Sequence, residues 1–195
     1  MPDRLYLSYW LRGFTEHNML RHFENALRHF PFSRMRPQAL LAVRAVDLAE
    51  APLLEREYAG EIDPRAIIEA CRWHSKPDHA FELATFWDLW TLADEEWKLR
   101  PAPIGIWCYG PLFPSEYGEQ LRFEFGLETL FLPGPELSRP LAPFRHNIRS
   151  LLHLVHDMDD ALPVDKRLLW SESGGNFAER LQEALSRMEA RQAGG

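Results

Sequence analysis

The sequence predicts an α+β domain: a ferredoxin-like βαββαβ core, extended by an antiparallel strand meander, with two C-terminal helices. Residues 4–92 pass through segments of strand and helical periodicity in the order β-α-β-β-α-β. Further alternating segments follow up to residue 133 without a long helix between them, which is typical of antiparallel strands. The chain has no internal repeat of the kind that builds a solenoid.

We expect the 195 residues to form a single domain around one core. Its first half, 1–92, carries the ferredoxin-like elements, and its second half, 93–195, carries the meander and the C-terminal helices. With 46% hydrophobic and 26% charged residues, the chain has the balance of a soluble globular protein.

The first strand and the first helix follow from residue spacing. Residues 4–12 alternate between core-type side chains and more polar or aromatic neighbours, which predicts a strand with one buried face. The helix that follows is expected to begin near Thr15, a candidate N-cap, and to end before Pro31.

Two strands and a second helix are expected next. Residues 37–50 and 52–60 predict the second and third strands. Asp63 as an N-cap and Pro64 at the first helical position indicate the start of the second helix.

The segment 79–97 is open to two interpretations. Neither Gly nor Pro interrupts it, so a helix is compatible with its spacing. The turn-like sequence Ala-Asp-Glu-Glu, the aromatic residues on both sides of it, and the prolines at 101 and 103 favour a hairpin of two strands. We adopt the hairpin.

The rest of the chain predicts one further meander strand and the C-terminal elements. Residues 119–133 alternate cleanly and form the third strand of the meander. After a proline-rich connection we expect a helix over 143–160, a short strand near 166–170, and a last amphipathic helix from about 176 to 188.

Charge and motifs exclude several function classes. The net charge of −7 argues against nucleic acid as the main partner. Since no segment has the long apolar run of a membrane span or a signal peptide, we expect no membrane partner and a cytoplasmic location. No phosphate-binding loop, Rossmann glycine pattern or GxSxG motif stands out, so no cofactor is expected and no catalytic residue is assigned.

The histidines and cysteines offer one weak metal candidate, formed by Cys71, His74 and His79. Cys71 and His74 share a helix face, and a turn could bring His79 back as a third ligand. Spacings typical of zinc are absent, so Cys71 is equally well interpreted as a core residue. His22 and His29 lie two helical turns, roughly 10 Å, apart, which is too far for one metal ion. We interpret them as part of a solvated helix face.

The candidate binding residues come from strand alternation. If helices cover one face of the sheet, the other face carries Tyr6, Ser8, Trp10 and Arg12 of the first strand together with Arg122 and Glu124 of the meander. A face that mixes aromatic and charged groups suits a small polar ligand or a second protein. The alternative is that the C-terminal helices or a dimer mate cover it.

These patterns lead to two functional hypotheses. The first is a non-enzymatic domain that acts through its sheet, by binding an unknown protein partner or by forming a homodimer. The alternative is a small-molecule binding protein or enzyme that uses the polar and aromatic sheet face. This alternative requires a pocket with a converging charged pair, such as Arg12 with Glu124.

Overall fold

A seven-stranded antiparallel sheet organises the part of the chain that the computed structural model describes, residues 3–46, 50–94, 96–132, 141–172 and 177–193. The strands are β1 (Arg4–Leu11), β2 (Gln38–Arg44), β3 (Leu54–Ala59), β4 (Ala80–Ala93), β5 (Glu96–Tyr109), β6 (Leu121–Leu127) and β7 (Val164–Ser171). Their order across the sheet is β3-β2-β4-β5-β6-β1-β7.

Within the described ranges, four helices share one hydrophobic core with the residues on one face of this sheet. They are α1 (Met19–His29), α2 (Pro64–Cys71), α3 (Ala142–Ala161) and α4 (Phe177–Ala193). Phe23 of α1, Leu151 of α3 and Phe177 of α4 are fully buried with the inward residues of the strands. None of the helices so described is long and apolar enough to cross a membrane.

The mixed α+β class, the antiparallel meander and the two C-terminal helices are confirmed, whereas the ferredoxin-like core is not. The first six elements follow the predicted order along the chain. A ferredoxin-like core interleaves the strands of its two halves. Here β5 and β6 separate β1 from β2, β3 and β4, and β1 pairs with β6 and β7. Alternation along a strand identifies its buried face, but it does not select the neighbouring strand.

The predicted hairpin over 79–97 is confirmed as two long strands, β4 and β5. β2 pairs only with residues 80–85 of β4, and β6 pairs only with residues 105–108 of β5, so the hairpin extends beyond both neighbours. Asn147 of α3 secures the extension. Its side chain accepts a hydrogen bond from the Trp90 backbone N–H at 2.9 Å and donates to the Trp90 and Leu130 carbonyl oxygens at 2.8 Å each.

The helix starts are confirmed in part. Asp63 caps α2, because its carboxylate accepts a hydrogen bond from the Arg65 N–H at 2.9 Å. Thr15 is not the N-cap of α1: Asn18 occupies that position, and its side chain accepts from the Thr15 N–H at 2.8 Å. The predicted start of the last helix, residue 176, lies outside the described residues. Within them, α4 begins at Phe177.

The interpretation of His22 as a solvated residue is wrong. It is 4% exposed, and its ring stacks on Phe14 with 6.0 Å between ring centroids. Burial lowers its pKa, and the charge of Arg21 lowers it further. The side chain of His29 does remain at the helix surface, where Nδ1 lies 2.8 Å from the Asn25 carbonyl oxygen. His22 therefore belongs to the packing of α1 against the preceding loop.

Candidate functional site

The face of the sheet opposite the helices, here called the open face, is organised in rows of side chains that run across the strands. One complete row consists of Glu57, Leu40, Ala84, Gly105, Glu124, Tyr6 and Trp170, in order from β3 to β7. The adjacent row consists of Glu55, Ala42, Glu82, Trp107, Arg122, Ser8 and Leu168. Residues that are far apart along the chain therefore become neighbours here.

A groove of about 860 Å³ lies over the middle of this face. Leu40, Ala84 and Gly105 form part of its floor, while Glu57 and Glu124 stand at the two sides of that floor. The floor is recessed because Ala84 and Gly105 have little or no side chain between longer neighbours. Small residues at the middle of the row therefore shape the groove.

Gly105 brings the backbone of the groove close to two polar groups. A Cβ atom added at this position would lie 3.3 Å from Glu124 Oε2 and 3.5 Å from Trp107 Nε1. The Trp107 N–H favours the ionised form of Glu124, although the two groups do not reach the geometry of a hydrogen bond. The carboxylate of Glu124 thus borders the inner end of the groove.

Glu124 is a shielded carboxylate, with 25% of its side chain exposed. Its burial raises the pKa, and the nearby charge of Glu82 raises it further. Arg122 opposes this shift, since its Nη2 atom lies 3.2 Å from Glu124 Oε1. The carboxyl group is therefore held in an environment that partly penalises its own charge.

Arg122 is shared among three carboxylates. Besides Glu124, it approaches Glu119 at 3.3 Å and Glu116 at 3.7 Å. Its side chain is 14% exposed, and that of Glu119 is fully buried. The guanidinium carbon also lies 5.3 Å from the ring centroid of Tyr109, which is within the range of a cation–π contact. One cation thus organises this end of the open face.

Aromatic side chains cover the part of the open face beside Arg122. Trp170 stacks on Tyr6 with 4.4 Å between ring centroids and donates from Nε1 to Ser8 Oγ at 3.1 Å. Tyr117 packs edge-on against Trp170 at 4.9 Å. Burial raises the pKa of Tyr6 to about 12, aided by the hydrogen bond that its hydroxyl donates to Glu172. The groove therefore begins where this aromatic cover ends.

The structure brings together some of the predicted binding residues and separates others. Tyr6, Arg122 and Glu124 are close to one another, and Ser8 is fully buried beneath Trp170. Trp10 lies further along β1, where the Lys166 ammonium is 4.5 Å from its ring centroid. Neither Trp10 nor Ser8 lines the groove.

Arg12 and Glu124 do not form the converging pair that the sequence suggested. Glu124 faces Tyr6, and Arg12 follows six residues later, just after β1 ends. Six residues of extended chain span roughly 20 Å. The charged neighbour that Glu124 does have is Arg122, on its own strand.

Sequence reasoning missed the floor of the groove. Leu40 and Glu57 come from β2 and β3, and their adjacency to the meander depends on the pairing of β2 with β4. Gly105 did carry a local signal: a glycine in the outward phase of an otherwise apolar strand often marks a close approach of backbone to another group. Alternation alone did not reveal that this position is recessed.

The candidate metal residues are not arranged as a ligand set. Cys71 is fully buried in the core, and burial raises the pKa of its thiol to about 12. Nδ1 of His79 lies 2.7 Å from the backbone carbonyl oxygen of His74, so His79 contacts the backbone of His74 and not the His74 imidazole. Over the ranges of chain that are described, no three His, Cys, Asp or Glu side chains lie close enough to hold a metal ion.

Fold and groove together define an α+β domain with one helix-covered and one open sheet face. The chain matches no protein-family model, no curated protein and no solved structure at a significant level. Its function has to be inferred from the residues of the open face.

Proposed function

We propose that this chain is a binding protein whose open sheet face holds a small ligand in the groove over Ala84 and Gly105. The groove itself is the observation that carries the proposal. Its volume of about 860 Å³ falls within the range of roughly 300–1,000 Å³ that is common for small-molecule sites. Such sites are concave and mostly apolar, with a few polar groups placed to orient the ligand.

The lining of the groove meets both conditions. Apolar surface comes from Leu40, Ala84, Phe86 and Pro103, and Leu40 is 36% exposed. Carboxylates and guanidinium groups stand around this surface, contributed by Glu57, Glu82, Glu124, Arg4 and Arg36. A ligand with an apolar body and a charged group would bury the first set of side chains and contact the second.

A protein partner or a second copy of the chain is the other candidate occupant of the open face. Exposed leucines outside the middle of the groove favour it, since Leu127 is 43% and Leu168 is 41% exposed. A symmetric dimer whose two-fold axis passes through the groove would place one recess against the other, which leaves space that the floor residues cannot fill. The groove therefore favours a ligand over a second copy. A cytoplasmic location and the absence of a nucleic-acid partner stay predictions from composition.

The two candidates are separated by two matched variants on the same face. Ala84→Trp fills the groove, and Leu168→Trp places the same side chain on the outermost strand β7. We expect small molecules that raise the Tm of the wild-type protein to raise that of Leu168→Trp equally, but not that of Ala84→Trp.

The protein-interaction candidate predicts a different outcome. Light scattering after size-exclusion chromatography would show a dimer, or a stable partner complex, that Leu168→Trp or Trp10→Ala disrupts. Such a result, combined with no small molecule whose effect depends on Ala84, would replace the ligand proposal with the interaction proposal.

A further inference from the structure

The inner corner of the groove has more carboxylates than cations. Glu82 of β4 and Glu124 of β6 lie on either side of β5 and both line the groove. Glu82 has a one-to-one ion pair, in which Arg44 Nε lies 2.8 Å from Glu82 Oε2. The ion pair of Glu124 is a shared one, because Arg122 also contacts Glu116 and Glu119.

The charges at this corner do not balance. When all groups are ionised, the guanidinium groups of Arg44 and Arg122 are paired with four carboxylates, those of Glu82, Glu116, Glu119 and Glu124. The charge of the exposed Arg4 also acts on Glu124, which still leaves three cations for four carboxylates. Removing a carboxylate from water without a full partner costs free energy. The raised pKa of Glu124 reflects that cost. A further cation beside Glu124 would offset it.

The other two cations that line the groove, Arg36 next to β2 and Arg4 on β1, are in a different environment. Arg36 is exposed, lies with its guanidinium carbon 4.1 Å from the Phe86 ring centroid, and donates from Nε to the Gln38 side chain at 2.9 Å. Arg4 is also exposed. Because water and these contacts already solvate both guanidinium groups, an anionic ligand would gain less there than a cation gains at Glu124.

We propose that the ligand of the groove is an aliphatic amine, whose ammonium group binds Glu124 and Glu82 while its hydrocarbon chain lies on Leu40, Ala84 and Phe86. This inference rests on the proposed function, since it names the ligand class of the same groove. The surplus of carboxylates favours a cationic group, and the apolar floor of the groove favours an aliphatic chain. Glu57, at the other side of the floor, extends the same preference to a chain with a second amine.

The test compares three probes of equal chain length: n-hexylammonium, n-hexanol and hexanoate. Binding is followed at neutral pH by ¹⁵N–¹H correlation spectra, in which the Trp107 indole N–H reports on the corner beside Gly105. We expect hexylammonium to shift this signal and to bind more tightly than hexanol, with hexanoate the weakest.

The matched variants are Glu124→Gln and Glu116→Gln. Both remove one carboxylate from the Arg122 cluster, but only Glu124 lines the groove. A hydrogen bond to a charged group contributes enough that we expect Glu124→Gln to weaken hexylammonium binding by about tenfold to a hundredfold. Glu116→Gln should change it by less than about twofold. Glu82→Gln provides a second variant of the corner should Glu124→Gln fail to fold.

The outcomes separate this inference from the proposed function. If hexanol or hexanoate binds as tightly as hexylammonium and Ala84→Trp abolishes that binding, the groove binds ligands but the amine class is wrong. If Glu124→Gln and Glu82→Gln both leave hexylammonium binding unchanged, the amine inference is overturned. If no probe binds and no small molecule shows dependence on Ala84, both proposals fail.

Discussion

The two faces of the sheet are built from alternate residues of the same strands, yet they differ in almost every physical respect. On β4, Phe81 and Leu83 point into the core and are fully buried, whereas the alternate residues Glu82 and Ala84 point outward. The covered face is filled by aromatic and aliphatic side chains under the helices. The open face keeps charged groups in position by ion pairs and leaves a recess.

The covered face contributes most of the stability, whereas the open face leaves side chains accessible to solvent. The covered face removes its apolar surface from water, so truncation there should cost several kcal/mol. The open face holds a shielded carboxylate with a raised pKa, and groups with shifted pKa values are concentrated at functional sites. Substitutions on the two faces should therefore separate stability from ligand binding.

The largest expected effect is on the covered face. Phe123→Ala removes a fully buried ring that packs on Phe30 and Tyr9, with centroid distances of 6.1 and 6.2 Å. We expect the free energy of unfolding to fall by about 3–5 kcal/mol. Leu168→Ala on the open face should change it by less than about 1 kcal/mol. Urea unfolding followed by circular dichroism measures the free energy of unfolding of both variants. Equal losses would contradict the proposed difference between the two faces.

The next effect concerns the extension of the β4–β5 hairpin. Asn147→Ala leaves the Trp90 backbone N–H and two carbonyl groups without their partner. The expected loss is about 1–3 kcal/mol of unfolding free energy. Leu152→Ala, at an exposed position of the same helix α3, is the control and should be close to neutral. Hydrogen exchange at Trp90 would show whether the loss is local, and unchanged protection there would argue against this role.

A smaller effect, with a defined pH dependence, is expected at Glu124. Its pKa is raised in the folded state, so its contribution favours folding at low pH and is lost as the pH rises from the ordinary value of 4.5 through the folded pKa. Glu124→Gln removes this titration. The variant should therefore gain stability relative to wild type between pH 4 and pH 7. A constant difference across that interval would show that Glu124 titrates normally.

The smallest effect on stability is expected at the floor of the groove. In Gly105→Ala the new methyl group is nearest to Glu124 Oε2 at 3.3 Å, and its other near neighbours, Glu124 Cβ and Trp107 Nε1, lie at an ordinary contact distance of 3.5 Å. Since the closest atom is the end of a flexible side chain, the stability should change by less than about 1 kcal/mol. Hexylammonium binding should nevertheless weaken. Gly110→Ala is the contrasting control, because its Cβ would lie 2.3 Å from the Pro77 carbonyl oxygen and force the backbone to move. Differential scanning calorimetry would rank the two, and a larger loss at Gly105 would contradict the geometry.

The candidate site could be predicted from the sequence only in part. A period of two placed Tyr6, Arg122 and Glu124 on one face of the sheet, and of these three Glu124 lines the groove. Arg12 was expected beside Glu124 because alternation gives the face on which a residue lies but not its position relative to residues of the neighbouring strands. Leu40 and Glu57 were not found, since they join the site only through the pairing of β2 with β4.

Local sequence patterns predict the α+β class, the capped start of α2, the inward faces of β1 and β6, and the hairpin over 79–97 as the preferred of two interpretations, because these depend on residues close in the chain. Only the tertiary structure decided that β1 pairs with β6 and β7, with partners more than 100 residues away. The registers of β4 with β5 and of β5 with β6 aligned Ala84 with Gly105 and Gly105 with Glu124, and the pairing of β2 with β4 brought Leu40 beside Ala84. Strand register is a collective property of the whole sheet, and it is register that made a groove from residues that are unremarkable in isolation.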